Sequence, residues 1–301
     1  MYPATLLPAI ELRASKFTKS RDALALKNLI KAVRLLRAEA PRLFEALDEE
    51  AGWLAGECDL YTVGSIAEAA GELGAGAPAF WEALCRRESF ERLLSDESAE
   101  GYEEYAAKLA WALCVSGNAG ACGGEFLARA WEIAKGGEEG LSEEAQGQMA
   151  EVEVFAAAAG AELKNASPPA PASPGVPGIV RAELAAWPPK ARADVLSAAL
   201  TEAGFEHARR GSVPVSGDGR CLKVSMFSEE KMAVVDFLGP GRLLWGKGGA
   251  GTGSEDGATK RRQALLRDAG WTVLSVPHWR VKSDEEGFDN LLDWLQERID
   301  K

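Results

Sequence analysis

Apolar residues recur at helical spacing through the first half of the chain and at strand spacing through much of its last third. Leu24, Leu26, Leu29, Ile30, Val33 and Leu36 set the first helical stripe, the signature of an element with one buried face. The pattern then repeats. Ile30, Val33 and Leu36 return 37 residues later as Ala67, Ala70 and Leu73, and those return after another 40 as Ala107, Ala110 and Leu113. Leu43–Leu47 returns as Phe80–Leu84, again 37 residues on. Each unit is a small-residue helix, a short loop and a helix that opens on a bulky side chain. Such a pair cannot bury its apolar face alone, so successive pairs must stack. Leu141–Lys164 closes the series with a further alanine-rich helix. Ser167–Gly178 is then rich in proline, which removes donors and favours extended backbone, so residues 165–178 are expected to be a linker.

Beyond the linker the periodicity changes. Ile179–Ala186 and Lys190–Ala203 predict helices around Trp187-Pro188-Pro189. Two apolar runs, Cys221–Phe227 and Met232–Leu238, flank the polar tetrad Ser228–Lys231, as in a hairpin. Gly239-Pro240-Gly241 stops the second strand. Ala258–Ala269 has helical spacing, Gly270 ends it, and Trp271–Val276 predicts a further strand closed by Pro277. Between them, Gly246–Gly257 is glycine-rich but lacks the Gly-Lys-Ser/Thr of a phosphate-binding loop, so a flexible excursion is expected there.

Charge changes this picture locally rather than globally. The net charge is −12, which by itself argues against a polyanionic partner. Yet residues 1–42 hold nine Lys/Arg against three Asp/Glu, residues 43–160 hold six against twenty-four, and residues 161–301 are balanced at nineteen each. The acidic middle therefore favours a protein partner or a purely structural role for the helical array. Lys27, Lys31, Arg34 and Arg37, at helical intervals, are the exception, and suit either an anion or a solvated face. The five cysteines form no C-x-x-C pair and His207 and His278 lie far from paired thiols, so the cysteines are expected to be buried thiols and zinc is not expected. No apolar run approaches the ~20 residues of a membrane helix. The N-terminus has no basic start followed by an apolar core, so a secretory signal is not expected.

Asp236-x-x-Gly239-Pro240, then Thr259-Lys260-Arg261-Arg262, Gly270-Trp271, Ser275-Val276-Pro277 and Trp279 form a pattern that resembles the RAP domain, an RNA-binding domain abundant in Apicomplexans. The resemblance covers about the last third of the chain. It implies a restriction-endonuclease-like (PD-(D/E)xK-like) α/β fold over 179–301 in the order α-β-β-β-α-β, RNA as partner, and a mitochondrial or chloroplast location. Helical repeats over 1–164 placed before such a domain resemble octotricopeptide and FAST-kinase-like arrays, which implies an α-helical solenoid.

A nuclease of that fold needs several carboxylates for a divalent metal and a lysine to position water. Asp236 occupies the strand position, but Ser225 and Leu238 stand where further groups are expected. A degenerate site without metal or other cofactor is therefore the expectation, with Asp236 capping or pairing locally, for instance with Lys260 or Arg261. The cationic set is fuller: Arg242, Lys260, Arg261, Arg262 and Arg280, with Trp279 as a stacking plane, supply what single-stranded RNA binding uses. Three readings follow: an RNA-binding protein of RNA processing, stability or translation; a metal-dependent endoribonuclease acting through Asp236; and an interaction scaffold built on the acidic array.

Overall fold

The structure is a computed structural model that describes residues 6–75, 77–97, 99–119, 124–158, 163, 190–217, 219–245 and 251–299. The expected linker at 165–178 and helix at 179–186 lie outside the described residues. The fold is mostly helical with a small mixed sheet, an α plus α/β combination. Two compact units divide the chain, one of residues 1–168 with 244–261 and one of 169–243 with 262–301. A segment from the last third, residues 244–261, thus falls in the first unit.

The first unit runs α1 (Leu6–Lys19), α2 (Ala23–Leu36), α3 (Pro41–Glu49), α4 (Ala51–Glu57), α5 (Leu60–Leu73), α6 (Pro78–Leu84), α7 (Arg87–Leu93), α8 (Tyr102–Val115), α9 (Glu125–Gly136) and α10 (Glu143–Ala158). Among the described residues of 60–135 there is no strand. The 37-residue spacing reaches into the backbone. Asp22 and Asp59 cap α2 and α5, each accepting from the amide three residues on, Ala25 at 2.9 Å and Thr62 at 2.8 Å. Pro41 and Pro78 open α3 and α6 after Ala40 and Ala77, whose dihedrals agree closely (φ −133, ψ 65 and φ −136, ψ 65). Proline suits that position because its missing N–H would have no partner there. Arg37 and Gly74 end α2 and α5 in the left-handed region, φ 48 and φ 62.

The long helices neighbour one another in turn, α2 on α5, α5 on α8 and α8 on α10. The repeat positions Ile30, Val33, Ala67, Ala70, Ala107, Ala110 and Leu113 are all fully buried between them. Arg37 tolerates the left-handed conformation that its counterpart Gly74 adopts freely, because its guanidinium is held by Glu72 at 3.1 Å and by Asp256 at 2.5 Å.

Asp256 belongs to the inserted segment of the first unit. There β4 (Leu243–Trp245) and β5 (Gly251–Glu255) form a two-stranded ribbon, where a flexible excursion was expected from the glycines; residues 246–250 lie outside the described residues. Ser254 hydrogen-bonds Glu39 and Asp256 pairs with Arg37, which ties the second strand down. Gly257 follows, and a Cβ on it would run into the Gly71 carbonyl and the Gly74 backbone. Only glycine permits that approach.

The second unit holds α11 (Lys190–Glu202), β1 (Ala208–Pro214), β2 (Cys221–Ser228), β3 (Ala233–Leu238), the later turns of α12 (Gly257–Asp268), β6 (Thr272–Pro277) and α13 (Glu285–Ile299). The sheet order is β1-β2-β3-β6. β1/β2 and β2/β3 are antiparallel; β3/β6 is parallel, with Asp236 beside Ser275 and Leu238 beside Pro277. The parallel pair requires a crossover, which the ribbon and α12 provide. Apart from the ribbon and α13, the element order is α-β-β-β-α-β. The core gathers Leu196, Leu200 and Phe205 with Met226, Val235, Phe237 and Val276 of the sheet and Leu291 and Leu295 of α13.

Candidate functional site

Asp236 sits on β3, the sheet's inner parallel strand, and is only 3 % exposed. A carboxylate so placed needs compensation. The 3-10 turn Pro240–Arg242 supplies it by folding Arg242 back, so that its Nη1 donates to Asp236 Oδ1 at 2.8 Å. Gln263 Nε2 of α12 approaches Oδ2 at 3.4 Å and donates to Ser275 Oγ at 2.9 Å, while Arg267 Nη2 donates to Gln263 Oε1 at 3.0 Å. Asp236 thus pairs with Arg242, not with Lys260 or Arg261. The β2/β3 register, carried one residue past Met226–Val235, sets Ser225 against Asp236. One carboxylate, already bound by a guanidinium, is a poor cradle for a divalent cation. Among the described residues no group of three or more His, Cys, Asp or Glu could hold a metal ion.

Two expected phosphate ligands are thereby committed elsewhere. Arg242 is spent on Asp236. Arg262, part-buried in the second unit, donates from Nη2 to the Lys223 carbonyl of β2. The reason is position: Arg262 lies one turn into α12, on the side that packs over the sheet.

Lys260 and Arg261 belong to the first unit. Lys260 is exposed. Arg261 is half-buried, its Nε without a hydrogen-bond partner, and its charge opposes the rise that burial gives the Cys114 thiol, pushed up to about 12. The start of α12 already holds a carboxylate, because Asp256 Oδ1 accepts from Thr259 N at 2.7 Å. The helix end expected to attract phosphate is therefore capped by the protein itself.

The one expected aromatic ligand, Trp279, lies with Arg280 in the second unit, where β6 ends. Pro277 closes the strand, and His278 N donates to the Leu238 carbonyl at 2.9 Å, extending the parallel pairing by one residue. Trp279 follows at 40 % exposure, packed edge-on against His278 with ring centroids 5.2 Å apart. Burial holds the His278 imidazole below its ordinary value; a hydrogen bond with Leu238 opposes this and the Arg192 charge reinforces it. Arg280 does not stack on Trp279. Its Cζ lies 5.5 Å from the centroid of Trp294, and Arg298 Cζ lies 4.2 Å from the same ring. Trp294 and Arg298 were missed from sequence, although their i, i+4 spacing beside Phe288, Leu291 and Leu295 is the mark of one helix face.

Cys58 and Cys114 are free and buried, as expected, whereas Cys221 is free but only half-buried and Cys85 is disulfide-bonded. No helix among the described residues is long and apolar enough to cross a membrane. No family model matches the chain, and no curated protein matches it.

Proposed function

We propose that the chain is an RNA-binding protein that holds single-stranded RNA on its second unit without cleaving it. It would act in RNA processing, stability or translation in a mitochondrion or chloroplast. In this reading the second unit is a RAP-like, restriction-endonuclease-like domain whose hydrolytic site has become structural, and the first is a helical-repeat solenoid. The observation that supports it most is the exposed Trp279 next to the Arg280–Trp294–Arg298 cluster at the end of β6. A flat ring for a base and guanidinium groups for the backbone are what sequence-tolerant single-strand binding uses. The neutralised Asp236 supports binding without metal chemistry.

The test is fluorescence anisotropy of the full chain with mixed-sequence single-stranded RNA across a salt series. Trp279→Ala is expected to weaken binding by about 1–3 kcal/mol with little change in salt slope. Arg280→Gln with Arg298→Gln is expected to flatten the slope by roughly 0.7 for each phosphate no longer neutralised. Unchanged binding by both variants sinks the reading. Mg²⁺-dependent cleavage abolished by Asp236→Asn would establish the nuclease in its place.

A further inference from the structure

The first unit contains a second cationic and aromatic surface, on α2, α5 and α8. α2 and its C-cap Arg37 offer four cations, and two are satisfied by carboxylates. Arg34 pairs with Glu68 at 2.8 Å, with Glu72, and with Glu144 at 2.6 Å. Arg37 pairs with Glu72 and Asp256. Lys27 and Lys31 have no carboxylate within ion-pair distance among the described residues. Lys31 is exposed. Lys27 is 5 % exposed, and its ammonium lies 3.6 Å from the centroid of the Tyr61 ring. A nearly buried ammonium is costly without an anion, and an aromatic face compensates only part of that cost.

The rings around it are built in. Tyr61 meets Tyr105 of α8 edge to face, with centroids 4.6 Å apart at 87°. Gly64 leaves room for the approach: a Cβ there would stand 3.1 Å from the Tyr105 carbonyl oxygen. Lys108 lies over Tyr105 at 4.9 Å, but Glu104 neutralises it at 3.2 Å. Tyr61 stays 43 % exposed. Lys27, by hydrogen bonding and then by charge, holds the Tyr61 phenol below its ordinary range, and Tyr105 and Lys31 add to this.

We propose that this surface binds a small ligand joining one phosphate to a flat ring, the nucleoside monophosphate class. The phosphate lies between Lys27 and Lys31 and the ring lies against the exposed part of Tyr61. Size follows from charge. Only two of the four cations, Lys27 and Lys31, lack a carboxylate partner among the described residues, and residues 43–160 hold twenty-four Asp/Glu against six Lys/Arg. A single anionic group gains from the lysines at close range, whereas a long polyanion also meets the acidic surroundings. The inference is independent of RNA binding by the second unit.

Calorimetric titration of the full chain with adenosine 5′-monophosphate tests it, with adenosine and inorganic phosphate titrated separately. Saturable binding of the monophosphate is expected, tighter than of either half. Lys31→Gln should weaken it about threefold, as for an exposed ion pair. Lys27→Met should weaken it about tenfold or more, as for a charge-assisted bond at a buried site. Lys27 is buried, so circular dichroism checks that variant's fold, and the exposed Lys31→Gln decides if Lys27→Met fails to fold. Absence of saturable binding, or equal affinity in Lys31→Gln, overturns the proposal. So does a twelve-residue RNA that displaces the monophosphate and loses affinity in Lys31→Gln, since the surface would then be an RNA groove.

Discussion

Replacing Arg242 with methionine is the sharpest test of how Asp236 is held. The Asp236 side chain is 4 % exposed and that of Arg242 16 %, with 2.8 Å between nitrogen and oxygen. At an effective dielectric of ~20, two unit charges ~4 Å apart attract by about 4 kcal/mol. Desolvation of both groups offsets much of that in the intact pair. Removing Arg242 alone forfeits the attraction but leaves the carboxylate in place, with Gln263 at 3.4 Å as its remaining hydrogen-bond donor. Breaking a fully buried pair costs about 3–5 kcal/mol. Arg242 keeps some access to water, so about 2–3 kcal/mol is expected for Arg242→Met. Asp236→Asn preserves an acceptor and removes the charge, and should cost about 1–2 kcal/mol. With both changes no charge remains buried, so the double variant should recover about 2 kcal/mol relative to the sum of the singles. Urea unfolding of the full chain reads these differences, and hydrogen exchange over 233–243 localises them. Strict additivity, or a loss below about 0.5 kcal/mol in Arg242→Met, would refute the pairing as the reason for the buried acid. Stabilisation of wild type by Mg²⁺ that vanishes in Asp236→Asn would refute it in another way, by showing the carboxylate free to ligate.

Asp22→Ala and Asp59→Ala each remove the same kind of helix cap and should each cost about 1 kcal/mol in urea unfolding; a clear loss at one position and none at the other would break the equivalence of α2 and α5. His278 has its folded pKa lowered, so the unfolded chain binds the proton more readily, and folding stability rises with pH across the window below the ordinary value of ~6.5. That stability is present above the window and lost as pH falls through it. Unfolding curves of wild type and His278→Gln at pH 7.5 and 5.5 should therefore diverge on acidification, with the larger loss in wild type; parallel behaviour would show that the imidazole is not held neutral.

Periodicity carried the helical half of the sequence well, because its signals are local. Asp22 and Asp59, Pro41 and Pro78, and the alanine stripes each act within a turn of their own helix, and spacing alone exposes them. The strands at 221–228, 233–238 and 272–277 were legible for the same reason, as continuous apolar runs between breakers. What escaped depends on pairing across distance. β1 alternates weakly, exposing most of Ala208–Pro214, so it looks like loop until β2 is set beside it. The ribbon at 251–255 is nearly all small residues, and it is ordered by Glu39 and Arg37, more than two hundred positions away. The site was half legible. Asp236 and Trp279 stood out by type and place. The turn that returns Arg242 to Asp236, the cap that Asp256 gives α12 and the two guanidinium groups on Trp294 are properties of the folded chain.

The pairing of Arg37 with Asp256 spans 219 residues, and this has a consequence during synthesis. The first unit needs residues 244–261 to be complete, although its helices leave the ribosome much earlier. At about 5–20 residues per second, roughly 10–40 s separate the emergence of Arg37 from that of its partner. Throughout that interval the left-handed turn at Arg37 lacks its Asp256 anchor, and the backbone of Gly71 and Gly74 is uncovered. The nascent array is therefore an open intermediate that is closed last, by a segment from beyond the proline-rich stretch. Shortening the chain before residue 256 would leave it in that state permanently, and a split of the gene at the proline-rich stretch would yield two incomplete halves rather than two domains.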